Sequence, residues 1–336
     1  MSPAPLDISV VLATYNRGES LKLLLGDLAE QTLPASSYEV VVVDDGSKEP
    51  VAPMLDGFAT PYALTVKTQA NGGAARARDA GVRAARGHIV IITDDDMRVD
   101  RDFLAAHKAA HERGATVVLG HIAASERLGD LPVFERFHAH QLARFVDGIE
   151  RGRIVAHGVH VCTGNLSFRR DDYLRLGGFD ASLKRSEDRE LGVRLEADGG
   201  KLAFALEAVT RHESDHTDLR VWLRRAFLYG MYDRKISQKH PAVEMADPWR
   251  FFFLVSPLTR PLLLAAIALP GPMARATQLT MRGALLADGR GLARAAIAAT
   301  TVAYGLEYFR GMRTEAGSLR QCGVDFLAYW RKRAHR

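Results

Sequence analysis

The chain has 336 residues, 47% hydrophobic and 25% charged, with a formal net charge of +5. That balance excludes a disordered or collagen-like chain and supports one large domain with an accessory segment. The two cysteines, Cys162 and Cys322, form no CxxC and no disulfide framework, and no internal repeat is visible, so solenoids and propellers are excluded as well.

The N-terminus lacks the basic and apolar regions of a signal peptide, and a strand pattern over residues 8–13 begins at once. Residues 19–31 carry Leu21, Leu24, Leu25 and Leu28 at helical spacing. Residues 39–43, 64–67 and 88–93 read as further strands, and the alanine-rich stretch 74–86, closed by Gly87, as a helix. Continuous apolar runs suit the centre of a parallel sheet, and their alternation with helices predicts an α/β fold with a doubly wound sheet. Helices are then expected over 101–113, 187–197 and 219–232, and strands over 116–120, 162–169 and 202–206. Residues 125–157 show no readable period. From Phe251 the chain turns apolar, but Pro257, Arg260, Pro261 and Pro270 interrupt it, and its longest clean run falls well short of the roughly 18 residues that span a bilayer. Two readings stay open there: interfacial amphipathic helices flanked by arginines, or a helical layer packed on the main domain. The basic tail, Arg310 to Arg336, lacks any nucleic-acid module upstream, which favours a membrane surface over nucleic acid.

Three stretches carry chemistry. IVIITDDDM (89–97) delivers Asp94, Asp95 and Asp96 at the carboxyl end of an apolar strand, the edge where open α/β sheets bind ligands. Three adjacent carboxylates repel one another unless a cation such as Mg2+ or Mn2+, completed by a diphosphate, sits among them; the alternative is an acidic turn or helix cap. VVVVDDGS (40–47) puts Asp44 and Asp45 on the same rim, as acceptors for a base or ribose or as an Asp-Gly turn. QANGGAARARDAG (69–81) opens a small-residue helix with a Gly-rich turn but lacks the GK[ST] of a phosphate loop; Arg78 is either a diphosphate or base ligand or a solvent-facing arginine.

Taken in order with ATYNR (13–17), TGNLSFRR (163–170) and GGFDASLKRSEDRELGVRL (177–195), these stretches resemble the inverting family 2 glycosyltransferases of GT-A fold over about residues 8–230. The resemblance implies a Rossmann-like nucleotide-sugar-binding domain over 1–230, with a nucleotide half (1–100) and an acceptor half (101–230). An apolar, mainly helical region follows over 231–336. It implies that Thr14, with Tyr15 beside it, and Asp45 contact the nucleobase, and that Asn71 and Arg78 lie beside the nucleotide. Asp96 would be a direct ligand of Mn2+ or Mg2+. Asp94 would lie toward ribose or a metal-bound water, with Asp95 the least defined of the three. Gly164 and Asn165 would let the backbone approach the sugar closely. Asp188 would be the catalytic base, with Glu187 raising its pKa or orienting it. His212 would bind metal or diphosphate, with His216 as competitor. Asp79 stands where the family often has Asn, and no QxxRW follows the Glu-Asp pair, which disfavours a processive polymer synthase. The expected partners are a nucleotide-diphospho-sugar and an acceptor hydroxyl, amphiphilic or lipid-linked, with no nucleic acid. The expected location is the cytoplasm, with peripheral contact at the inner face of the cell membrane. Two alternatives are a nucleotidyltransferase on a similar scaffold and a catalytically silent membrane-associated module.

Overall fold

In β1 (Ile8–Thr14) every residue from Ile8 to Leu12 is fully buried, so both faces of the strand must be covered. Ile8, Val10 and Leu12 meet Leu21, Leu24, Leu25 and Leu28 of α1 (Gly18–Ala29) on one face. Val11 turns to the other face, with Val41, Val43, Val90 and Ile92. Each fully buried leucine contributes about 1.5–3 kcal/mol, so the α1 stripe anchors its helix firmly.

The computed structural model describes residues 6–213 and 218–334; His216 lies outside the described residues. The chain divides into two compact units, Met1–Ser125 with Leu142–Ser214, and Glu126–Gln141 with Asp215–Arg336. After α1 the first unit continues with β2 (Tyr38–Asp44), α2 (Val51–Met54), β3 (Ala63–Thr68), α3 (Ala74–Ala84), β4 (Ile89–Asp94), β5 (Met97–Val99), α4 (Phe103–Glu112) and β6 (Val117–Ala123). Then α5 (Val133–Glu150) begins in the second unit and ends in the first. β7 (Leu166–Arg169), α6 (Arg170–Arg175), α7 (Glu187–Ala197) and β8 (Leu202–His212) complete the first unit.

The strand order is β3-β2-β1-β4-β7-β6-β8-β5. The first four strands in that order are parallel, as expected, but the sheet as a whole is mixed: β7 runs antiparallel to both neighbours, and the short β5 pairs antiparallel with β8. Apolar runs report burial on both faces and carry no information on strand direction, which is why the doubly wound expectation misses this reversal. Register places Thr14 opposite Asp44 and Ala13 opposite Asp94, so the carboxylates of β2 and β4 share one rim. The small residues of α3 serve close packing: a Cβ on Gly81 would sit 2.4 Å from Val11 Cγ1.

Beneath β7 lies a buried polar chain. Asn165 Nδ2 donates to Ala208 O at 2.8 Å, which turns its Oδ1 toward His107 Nε2 at 2.9 Å. His107 Nδ1 and His111 Nε2 both meet Ser167 Oγ at 2.8 Å, and His111 Nδ1 meets Ala115 O at 3.0 Å. Burial pushes the imidazoles down, His107 to about 3 and His111 to about 4, so both are neutral near pH 7. Acceptors close both ends, so each ring donates outward, and the single Ser167 proton serves two inward-facing nitrogens.

The second unit is helical: the start of α5, then α8 (Leu219–Lys239), α9 (Trp249–Leu254), α10 (Arg260–Ala268), α11 (Pro270–Gly289), α12 (Ala293–Ala316) and α13 (Leu319–Ala334). Trp222 packs against Phe134 and Phe137 in one core, and Trp249, Phe252 and Phe309 form another. Glycines set the approach of α8 and α12: a Cβ on Gly230 would lie 1.8 Å from Tyr308 O, and one on Gly311 1.8 Å from Phe227 O. Among the described residues no helix is long and apolar enough to cross a membrane.

Candidate active site

Three loops and two strand ends converge on the rim of the first unit. Asp45 follows β2 and is buried. Its Oδ1 accepts from Gln69 Nε2 at 2.7 Å and Gly72 N at 2.9 Å, and its Oδ2 from Gly73 N at 2.8 Å. The carboxylate therefore shapes the Gly-rich turn that opens α3. Gly46 makes this possible: its φ is +77°, and a Cβ there would meet Asn71 N at 2.9 Å. Asn71 itself is exposed on that turn, Tyr15 is exposed after β1, and Thr14 is buried beside them.

The three acids divide between two arginines. Asp94 accepts from Arg78 Nη2 at 2.5 Å, while Nη1 of the same guanidinium reaches Glu187 Oε1 at 3.1 Å. Arg78 is buried, not solvent-facing. Burial works against its charge, yet Asp94 and Glu187, with Asp188 behind them, raise its pKa further. Asp96 Oδ2 meets Arg17 Nη1 at 2.5 Å, and Asp95 Oδ1 lies 3.3 Å from the same nitrogen. His212 Nε2 stands 3.5 Å from Asp96 Oδ2, placed there because β5 pairs Met97 with His212 on β8. These surroundings split the neighbouring carboxyls. Burial lifts Asp95 to about 6 against the pull of Thr14 and Arg17. Burial acts the same way on Asp96, but His212 and Arg17 outweigh it and hold the group at about 2.

Opposite them, Ser186 takes a left-handed conformation, φ 60°, and launches α7 with Glu187 and Asp188 in its first turn. The Ser186 side chain makes no cap hydrogen bond to this helix. Burial and the charge of Asp188 push Glu187 up, with Arg78 pulling the other way. Asp188 Oδ1 accepts from Arg189 N at 2.8 Å and Oδ2 from Thr163 N at 3.4 Å, which links α7 to the 163–165 segment. Thr93 Oγ1 donates to Gly164 O at 2.9 Å, and a Cβ on Gly164 would lie 2.7 Å from Met97 Cε, so glycine lets this segment lie tight on the rim. Asn165 is almost wholly buried, and its amide is engaged inside the sheet, where it frames the site from below. Asp79 has its own task, accepting from Tyr173 Oη at 2.9 Å and Arg83 Nε at 2.7 Å.

Sequence reasoning gave Arg17 no role; its signal was being the one cation in the loop after β1, on the rim that carries the acid run. Gln69 and Thr163, which hold Asp45 and Asp188, gave no signal of their own. Among the described residues no three His, Cys, Asp or Glu gather into a ready cation cage. The chemistry of the donors nevertheless suits Mn2+ or Mg2+. Asp96 Oδ1 is buried with no hydrogen-bond partner among the described residues, and the His212 imidazole stands beside its other oxygen.

The model of Glycosyl transferase family 2 matches residues 9–177, just over half of the chain. Validoxylamine A glucosyltransferase of Streptomyces hygroscopicus subsp. jinggangensis is 30% identical over 246 residues, 64% of this chain and 58% of that protein. Pre-mycofactocin glycosyltransferase of Mycobacterium tuberculosis is 27% identical over 97% of this chain and 61% of its own length. The chain thus spans about three fifths of these curated relatives. Among solved structures, the mannosyltransferase PcManGT from Pyrobaculum calidifontis in complex with GDP-Man and Mn2+ superposes with a TM-score of 0.59 at 22% identity, covering 90% of this chain and 88% of that one. The fold is of the GT-A type, and the chain belongs to glycosyltransferase family 2.

Proposed function

We propose that this protein transfers a sugar, with inversion, from a nucleotide-diphospho-sugar to an acceptor hydroxyl, with Asp188 as the base. One observation carries the reading: the buried Arg78 guanidinium holds Asp94 with one nitrogen and Glu187 with another. That bridge ties the acid run at the end of β4 to the Glu-Asp pair that opens α7. Donor-side and proton-accepting carboxylates are then set across one rigid cation.

The demands of the reaction fit these residues. An acceptor hydroxyl is a poor nucleophile, and a carboxylate that takes its proton as the new bond forms raises its reactivity. Asp188 accepts two backbone N–H bonds, one of them long, so it retains lone pairs for a hydroxyl. Glu187 orients Arg78 rather than competing for that proton. Gly164 keeps the wall opposite Asp94 free of a side chain. Asp45 holds the turn that bears Asn71, and Thr14 and Tyr15 flank it as the reading's nucleobase contacts. Asp96 and His212 would hold a divalent cation, with Asp94 beside them. Such a cation, when bound, neutralises the charge that develops on the leaving diphosphate. The apolar stretch that begins at Phe251 supports an amphiphilic or lipid-linked acceptor.

The test is an assay of a panel of nucleotide-diphospho-sugars with Mn2+ or with chelator. Donor consumption is expected to need the cation. Asp188→Asn is expected to lower turnover by about 10²–10⁴-fold while leaving nucleotide affinity within a few-fold. Turnover unchanged in that variant would remove Asp188 from its role; pyrophosphate release from a nucleoside triphosphate would point to a nucleotidyltransferase instead.

A further inference from the structure

The outward face of α11 is built unlike a surface meant only for water. Arg275, Leu279, Arg282, Leu286 and Arg290 follow one another at intervals of three and four along this helix and the residue after it, so they share one side, and all are exposed. Leu279 is 64% exposed and Leu286 60%. The opposite side, Thr277, Met281 and Ala284, is buried within the unit. Elsewhere in the same unit Leu254 is 70% and Leu258 88% exposed.

Charge narrows the occupant. Between residues 248 and 306 the sequence holds six arginines and a single acid, Asp288. That acid is already paired, with Arg136. The face therefore offers cations without anions, interleaved with leucines. A dry protein interface would strand three guanidiniums unless it supplied three carboxylates. A second copy of this face would set arginine against arginine. At a lipid surface the two residue types separate by depth: leucines enter the acyl boundary while arginine stems rise to phosphate oxygens. No described helix is long and apolar enough to cross, so such contact is in the plane of the surface.

We propose that the outward face of α11 docks on an anionic phospholipid surface. This concerns the second unit alone and does not rest on the donor chemistry of the first. The full chain is sedimented with vesicles of phosphatidylglycerol and phosphatidylcholine, and with phosphatidylcholine alone, at about 0.1 M and about 0.5 M salt. Binding is expected to the mixed vesicles and to weaken at least tenfold with the higher salt or with neutral lipid. Leu279→Ser with Leu286→Ser, and separately Arg275→Gln with Arg282→Gln, are each expected to lower partitioning at least tenfold. Circular dichroism and donor hydrolysis should match the parent in both. Absence of binding to the mixed vesicles would overturn the proposal. So would binding that the leucine pair leaves intact, which would mean charge adsorption alone. A dimer in sedimentation velocity that the leucine pair dissolves, without vesicle binding, would reassign the face to a second copy.

Discussion

Arg78 spans a gap that no other described side chain spans in the same way, and its fork shape is what allows it. A lysine offers one point charge and cannot hold Asp94 and Glu187 along two separate directions. Arg78→Lys is therefore expected to raise the donor KM by roughly tenfold or more with the fold intact. Steady-state kinetics checks this, and a KM within twofold of the parent would show that the bridge does not serve the donor. Arg17 makes a different prediction. It neutralises Asp95 and Asp96, both buried, and its removal leaves two carboxylates without their shared cation. Arg17→Ala should lower the unfolding midpoint, and Mn2+ should raise the midpoint of the variant more than that of the parent. Thermal melts with and without Mn2+ decide it. Much of this was legible at the level of motif: Asp94, Asp96, Arg78 and the Glu187–Asp188 pair stand out as residue types in a pattern. The pairing of Arg17 with the acid run was not, because it joins residues far apart in sequence and depends on the register that sets β1 beside β4.

Elements show where periodicity succeeds and where it is blurred. The strands over 8–13, 39–43 and 88–93 and the leucine helix over 19–31 read directly, since each buries one constant pattern. Helix α5 did not. Its first half buries Val133, Phe134 and Phe137 in the second unit, and its second half lies in the first, with Val146 buried there. Charged residues and histidines, among them Glu135, Arg136, His138, His140, Arg144 and Asp147, are interleaved with its apolar ones, so the stripe is hard to read from sequence. Strand β5 was missed because three residues carry too little pattern. The α8–α12 contact yields a prediction at this scale. Carbonyls of one helix occupy the space where a Cβ would stand on the other, so Gly230→Ala or Gly311→Ala must push the helices apart. Each is expected to cost about 3 kcal/mol or more, read as a shift in denaturation midpoint. The buried His107–Ser167–His111 chain predicts a pH effect. Both imidazoles are depressed in the folded state, so the unfolded chain binds more protons below its ordinary value of about 6.5. The stability they confer is full above that pH and is lost as pH falls toward 4. Replacing either histidine with Gln should remove about one proton from the slope of unfolding free energy between about pH 4.5 and 6.5.

At the scale of the whole molecule, the two units separate two kinds of experiment. Asp188→Asn should bind mixed vesicles as the parent does, and the Leu279→Ser, Leu286→Ser pair should hydrolyse donor as the parent does. A vesicle-binding defect in the first, or a soluble-donor defect in the second, would show that the units depend on each other energetically. The reversed strand β7 has a further consequence. Because it runs against β4, the residues that precede it reach the same rim as the residues that follow β4. Asp94 trails its strand and Gly164 leads its own, so the two sides of the site are written in separate stretches of the gene. Insertions ahead of β7 can then remodel one side of the cleft while the turns after β1, β2 and β4 stay as they are. Under the proposed transfer, such an arrangement would let a lineage exchange what receives the sugar without relearning how to hold what donates it.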